Sequence, residues 1–158
     1  MKLSDRLKAN YYLVAFSIAK IPLLWFCRPR IVNITSTSIE IKIPLRRRTK
    51  NHLNSMYFGA LSVGADITGG FLAMMCIQKT KKKVALIFKD FKADFLKRAE
   101  GDVHFICKQG NDITDLVHKT IKSGQRENMI VYIDAVVPSI SSEVVAKFEL
   151  TLSLKDKS

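Results

Sequence analysis

At 158 residues the chain has the length of a single domain, large enough for a core of its own, and 47% hydrophobic against 25% charged residues excludes a disordered polymer. A net charge of +12, from 26 basic against 14 acidic residues, favours anionic partners such as nucleic acid, an acidic membrane surface or a phosphate-bearing ligand, without choosing among them. Three cysteines (Cys27, Cys76, Cys107) and three histidines (His52, His104, His118) have neither disulfide-framework nor metal-ligand spacing, so no metal or cofactor is expected and a reducing cytoplasm is the natural setting.

The first element is an amphipathic helix over residues 3 to 21, because Leu3, Leu7, Tyr11, Val14, Ile18 and Ile21 recur at steps of three or four. Pro22 ends or kinks it ahead of Trp25-Phe26 and Arg28-Pro29-Arg30. Lys20 and the missing small-residue cleavage site argue against a signal peptide. The apolar run from Tyr11 to Phe26 is also shorter than the roughly 20 residues a membrane span needs, which leaves peripheral contact with a membrane through this helix as the membrane reading. Residues 31 to 45 alternate, with Ile39, Ile41, Ile43 and Leu45 on one side, and read as a strand after a turn at 36 to 38. Arg46-Arg47-Arg48-Thr49-Lys50 follows as a basic loop.

Residues 51 to 77 hold one charged residue, Asp66, among apolar or small ones. Drawn as a helix from Tyr57 at about 100° per residue, the stretch places Gly59, Ser62, Val63, Gly69, Gly70, Ala73 and Ile77 on the side of Asp66 and Leu61, Phe71, Leu72 and Met75 opposite. The helix thus has a packing face and a shallow face. Two consecutive glycines cost roughly 1 kcal/mol each relative to alanine, so Gly69 and Gly70 imply close approach of a partner helix or a ligand. A carboxylate in such surroundings is either paired, here with a lysine across a subunit contact, or used in chemistry.

After a basic turn at Lys79 and Lys81 to Lys83, Val84 to Leu96 reads as a strand passing from buried to half-exposed. Gly101-Asp102 makes a turn, Val103 to Lys108 another strand, and Asp112 caps a short helix closed by Gly124. Met129 to Val137 and Val144 to Leu154 complete the set as two strands. One long helix among antiparallel strands is an α+β plan in which the sheet wraps the helix.

Asn51, Phe58-Gly59 and Asp66, fifteen positions after the asparagine, together with Ala93-Asp94-Phe95-Leu96-Lys97-Arg98-Ala99-Glu100-Gly101-Asp102, resemble the hot-dog-fold acyl-CoA thioesterases, in particular the phenylacetate-degradation type and a thioesterase-like branch beside it. The resemblance covers roughly residues 30 to 155. It implies a hot-dog fold with an antiparallel β-sheet around one long central α-helix, as a single hot-dog domain at 31–158, to which the periodicity of the first residues adds an N-terminal helix and linker at 1–30. It also implies at least a homodimer, or a dimer of dimers, with sites at the subunit boundary, where Gly69 and Gly70 would serve the contact.

Carried onto this sequence, the family chemistry assigns the amides of Phe58 and Gly59 to an oxyanion hole at the helix start. Asp66 becomes either a general base for water or a nucleophile, and Asn51, otherwise a turn residue, orients water or thioester. The acyl chain would lie along Tyr57, Ser62, Val63, Gly70 and Ala73. Arg46, Arg47, Arg48, Lys97 and Arg98, with Lys81 to Lys83 as further candidates, would meet the phosphates of coenzyme A, although each alone is ordinarily a solvated charge. Departures stand beside the match: Tyr57-Phe58-Gly59 replaces a His-Gly-Gly start, Asn54 a common glycine, Gly70 a polar residue, and Lys97-Arg98 an arginine-proline pair. Three functions therefore compete: a thioesterase working through Asp66, a non-catalytic acyl- or lipid-binding dimer blocked by Tyr57-Phe58, and a basic surface-binding protein. The last ranks behind the others, with no specific nucleic acid expected, because the chain has no RNA-binding aromatic motif or helix-turn-helix pattern.

Overall fold

Residues 3–157 are described by a computed structural model. In chain order they form α1 (Leu3–Lys20), α2 (Pro22–Cys27), β1 (Arg30–Ile34), β2 (Ile39–Ile43), α3 (Phe58–Thr80), β3 (Val84–Phe95), β4 (Val103–Cys107), α4 (Gly110–Ser123), β5 (Arg126–Val137) and β6 (Ser141–Asp156). The strands make one 6-stranded antiparallel sheet in the order β1-β2-β4-β5-β6-β3. Alternation decides which side of each strand is buried: Ile39, Ile41 and Ile43 of β2 and Phe148, Leu150, Leu152 and Leu154 of β6 all enter the core. The expected α+β plan holds, with α3 as the central helix.

α3 is long and apolar enough to cross a membrane by length and composition, but 67% of its most apolar stretch is buried, and it serves as the core helix of the sheet. Leu61, Phe71 and Leu72 pack inward as the helical drawing predicts, while Met75 is only half-buried. Phe105 of β4 lies so close to Gly64 that a β-carbon there would stand 2.2 Å from its ring. Gly69 approaches the sheet of its own chain, with a β-carbon placed 3.3 Å from Val131 and 3.5 Å from Phe88. Gly69 thus packs closely on the sheet of its own chain, in addition to any partner helix or ligand that the sequence implies for it.

α4 begins at Gly110 rather than at Asp112, because Gly110 sits against the backbone of Ser36 and Thr37, where a β-carbon would come within 2.3 Å. Gln109 precedes the helix, and its side chain accepts from the Tyr132 N–H at 2.7 Å instead of capping. Gly124 closes α4 at φ 62°, as expected for a left-handed terminus. Cys27, Cys76 and Cys107 are buried free thiols, and burial pushes Cys27 and Cys107 above the ordinary thiol range.

The two edges of the sheet differ. Asn10 of α1 closes the outer side of β1, accepting from the Ile31 N–H at 2.9 Å and donating to the Ile31 carbonyl at 3.0 Å. β3, the other edge, runs for 12 residues and exposes Ile87, Phe91 and Phe95. A long edge of this kind is a ready surface for pairing with another chain. α1 and α2 contribute Leu13, Leu24 and Cys27 to the same core as the sheet, and the helical break falls at Pro22 as the sequence predicts.

Candidate active site

The residues 44–57 that lead into α3 are held by hydrogen bonds rather than by regular structure. Thr49, almost fully buried, donates to the Pro44 carbonyl at 2.7 Å and accepts from the Arg46 N–H at 3.0 Å, which shapes the arginine turn. Its own carbonyl accepts from the Tyr57 N–H at 2.8 Å, so the arginine turn and the start of α3 are tied together. Asn51 folds the loop between them: its carbonyl oxygen accepts from the N–H groups of Leu53 at 2.9 Å and Ser55 at 3.2 Å, and its amide donates to Ser55 Oγ at 3.1 Å. The turn function of Asn51, the ordinary one for a loop asparagine, is therefore realised. Asn54 takes a left-handed φ of 64°, a region asparagine tolerates.

α3 starts at Phe58 behind an extended Tyr57, and no side chain caps it, so the first amides keep their donors. Tyr57 and Phe58 are both exposed, with ring centroids 4.7 Å apart. The Tyr57 ring lies over Gly59, where a β-carbon would stand 2.6 Å from Cε1. Ser62, about one turn further along, donates to the Phe58 carbonyl at 3.0 Å.

Asp66 is two turns along α3 and half-buried. Burial raises its carboxyl above the ordinary carboxylate value. Among the described residues no side chain or amide hydrogen-bonds to it. Ser62 and Val63 beside it are half-buried, and Gly70 and Ala73 are buried. A β-carbon at Gly70 would meet only Phe88 Cε2, at 3.6 Å, so this strip of small residues, though buried, has room for a methyl group at Gly70.

The basic candidates separate. Arg46 and Arg48 line a cavity of about 280 Å³ with Arg28, Arg30, Lys42 and Asp102, whereas Arg47 lies outside it and Asp66 is not among its walls. Asp102 accepts from the Leu45 N–H at 2.9 Å and from Lys42 Nζ at 3.1 Å. Desolvation raises this carboxyl, but the Leu45 and Lys42 hydrogen bonds and the nearby Arg46 charge outweigh it and hold it below the ordinary value. Lys97 pairs with Glu143, and Arg98 with Glu100 at 3.9 Å, both on the exposed surface. Lys81 to Lys83 stand at the far end of α3, about 33 Å from its start at 1.5 Å per residue, so within one chain they are remote from the Phe58 and Gly59 amides. Arg28, Arg30 and Lys42 went unforeseen. Arg28 and Arg30 are visible as a pair flanking Pro29, but the register that sets Arg30 opposite Lys42 is a product of β1–β2 pairing.

Known structures share this arrangement of helix and sheet. A candidate thioesterase from Shewanella oneidensis superposes with a TM-score of 0.80 at 14% identity, over 92% of this chain and 96% of that one. A protein of unknown function from Pseudomonas aeruginosa, described as a probable thioesterase, gives 0.77 at 20% identity over 93% and 95%. A thioesterase from Haemophilus influenzae gives 0.68 at 15% identity over 90% and 88%. The fold is thus the hot-dog fold. No curated protein matches the chain. Residues 10–154 match the family described as Domain of unknown function (DUF4442), and the chain belongs to that family.

Proposed function

We propose that the protein hydrolyses acyl thioesters, of coenzyme A or of an acyl carrier, in the cytoplasm. The observation that carries this reading is Asp66: a half-buried carboxylate without a hydrogen-bond or ion-pair partner among the described residues, beside the small-residue strip at Gly70 and two turns from an uncapped helix start. Burial without compensation is costly, and a group kept in that state is suited to proton transfer or attack. The thioesterase descriptions of the structural neighbours support the same reaction class.

In the reaction, the thioester carbonyl oxygen faces the Phe58 and Gly59 N–H groups, and the acyl chain runs past Tyr57, Ser62 and Val63 toward Gly70 and Ala73. Asp66 takes a proton from water as the water oxygen bonds to the carbonyl carbon, and the two amides hold the oxyanion. Collapse breaks the C–S bond, the thiolate recovers the proton, and a carboxylic acid and a thiol leave. In the other route Asp66 attacks the carbonyl itself, expels the thiolate and forms a mixed anhydride that water then cleaves. Asn51 acts by shaping the loop that sets the helix start, with its remaining amide N–H directed to water or thioester.

The working unit in this proposal is a homodimer joined along β3, or a dimer of dimers. Asn10 occupies the outer side of β1 at Ile31, and Phe88 of β3 is the neighbour of Gly69 and Gly70, so pairing at β3 brings the small-residue strip close to the junction. The phosphates of coenzyme A would then meet Arg46 and Arg48, with the exposed Arg47 as a further cation and Lys97 and Arg98 free to exchange their surface partners for them.

A second reading has one observation in its favour: the Tyr57 ring over Gly59 narrows access to the oxyanion amides, as in an acyl-binding dimer without turnover. Acyl-CoA substrates of graded chain length, given to wild type and Asp66→Asn, separate the two. Hydrolysis by wild type and its loss in the variant supports the thioesterase. Tight binding of acyl-CoA with no hydrolysis by either protein supports the binding dimer.

A further inference from the structure

We propose that the N-terminal face of the protein docks on an anionic phospholipid surface. The amphipathic stripe of α1 points away from the domain it belongs to. Leu13 and Ser17 form the buried side, whereas Leu7, Tyr11 and Ile18 are 62%, 79% and 55% exposed and share one helical face with Val14. α2 extends this surface: it buries Leu24 and Cys27 and leaves Leu23, Trp25 and Phe26 outside. A contiguous apolar surface on two adjoining helices is the mark of a site that something covers.

Charge identifies what covers it. The first 39 residues contain a single acidic residue, Asp5, against Lys2, Arg6, Lys8, Lys20, Arg28 and Arg30. Arg28 stands over the Trp25 ring at 5.5 Å and Arg48 over Phe26 at 5.2 Å, so both exposed rings of α2 have a guanidinium beside them. A cavity of about 360 Å³ is lined by Val14 and Trp25 together with Arg28 and Arg30, which joins the apolar stripe to the cationic recess at Arg46 and Arg48. The one carboxylate of that recess, Asp102, is already engaged by Lys42 and the Leu45 N–H. A second copy of this face would bring like charges together. A membrane with anionic headgroups takes the apolar side chains into its interfacial layer and sets phosphates against the arginines.

Trp25 is the single tryptophan and reports on this surface directly. The probes are vesicles of phosphatidylcholine alone and of phosphatidylcholine with about a third phosphatidylglycerol. Wild type is expected to sediment with the anionic vesicles, to shift its emission to the blue there, and to be released by salt. The double variant Tyr11→Glu with Ile18→Glu changes exposed positions outside the proposed thioesterase site. It should keep the wild-type melting temperature and lose at least about tenfold in vesicle affinity. Four outcomes overturn the proposal: no vesicle binding by wild type, equal binding to neutral vesicles, salt-sensitive binding that the double variant retains, or self-association that the double variant abolishes in a protein that ignores vesicles.

Discussion

Replacing Gly70 by alanine separates what the fold requires from what the site requires. Inside a helix the change favours folding by about 1 kcal/mol through backbone entropy. At Gly70 little opposes that gain, since the new β-carbon meets only Phe88 Cε2, at the ordinary contact distance of 3.6 Å. For a domain of this size the melting temperature should rise by about 2–4 °C. The same methyl group intrudes on the strip assigned to the acyl chain, so hydrolysis of the longer acyl-CoA substrates should fall while the shortest are spared. Circular dichroism melts and a chain-length series on one preparation read both effects. A lower melting temperature, or unchanged rates at every chain length, would refute the reasoning that Gly70 is kept for an occupant and not for packing.

Gly64→Ala should behave oppositely to Gly70→Ala: its β-carbon would fall 2.2 Å from Phe105, and overpacking of about 1–3 kcal/mol exceeds the helix gain, so a rise in melting temperature would contradict the packing described. Asp66→Asn should stabilise the protein near neutral pH. Because burial raises the folded Asp66 carboxyl, ionising it costs stability; that cost is absent below the ordinary carboxylate value of about 3.9 and complete above the raised one. The difference in melting temperature between wild type and Asp66→Asn should therefore widen from acid to neutral pH, and a constant difference would count against it. Ile87→Lys, on the open edge of β3, should shift a dimer toward monomer in light scattering, and an unchanged mass would place the subunit contact elsewhere.

The sheet and the central helix were legible because their signals are local: alternation in β2 and β6, and a packing stripe of Leu61, Phe71 and Leu72 on α3. Long-range geometry was not. The stripe of α1 announces an amphipathic helix, yet periodicity carries no information on which face the rest of the chain covers, and here Asn10, Leu13 and Ser17 turn inward instead. Asp112 satisfies the local rule for a cap, but Gly110 fits against the backbone of Ser36 and Thr37, and that contact moves the helix start. Of the candidate site, Asp66 was visible as the one charge in an apolar stretch. The cluster of Arg28, Arg30 and Lys42 with Arg46 and Arg48 depends on strand register, which no short motif encodes.

The central claim is that the start of α3 and Asp66 act on one thioester carbonyl. A crystal structure with an acyl-CoA analogue in which a methylene replaces the thioester sulfur, keeping the carbonyl, tests it most directly. The account predicts the carbonyl oxygen about 2.7–3.1 Å from the Phe58 or Gly59 nitrogen, the Asp66 carboxylate facing the carbonyl carbon, and the acyl chain passing Gly70. An analogue bound with its carbonyl remote from both the helix start and Asp66 would contradict it.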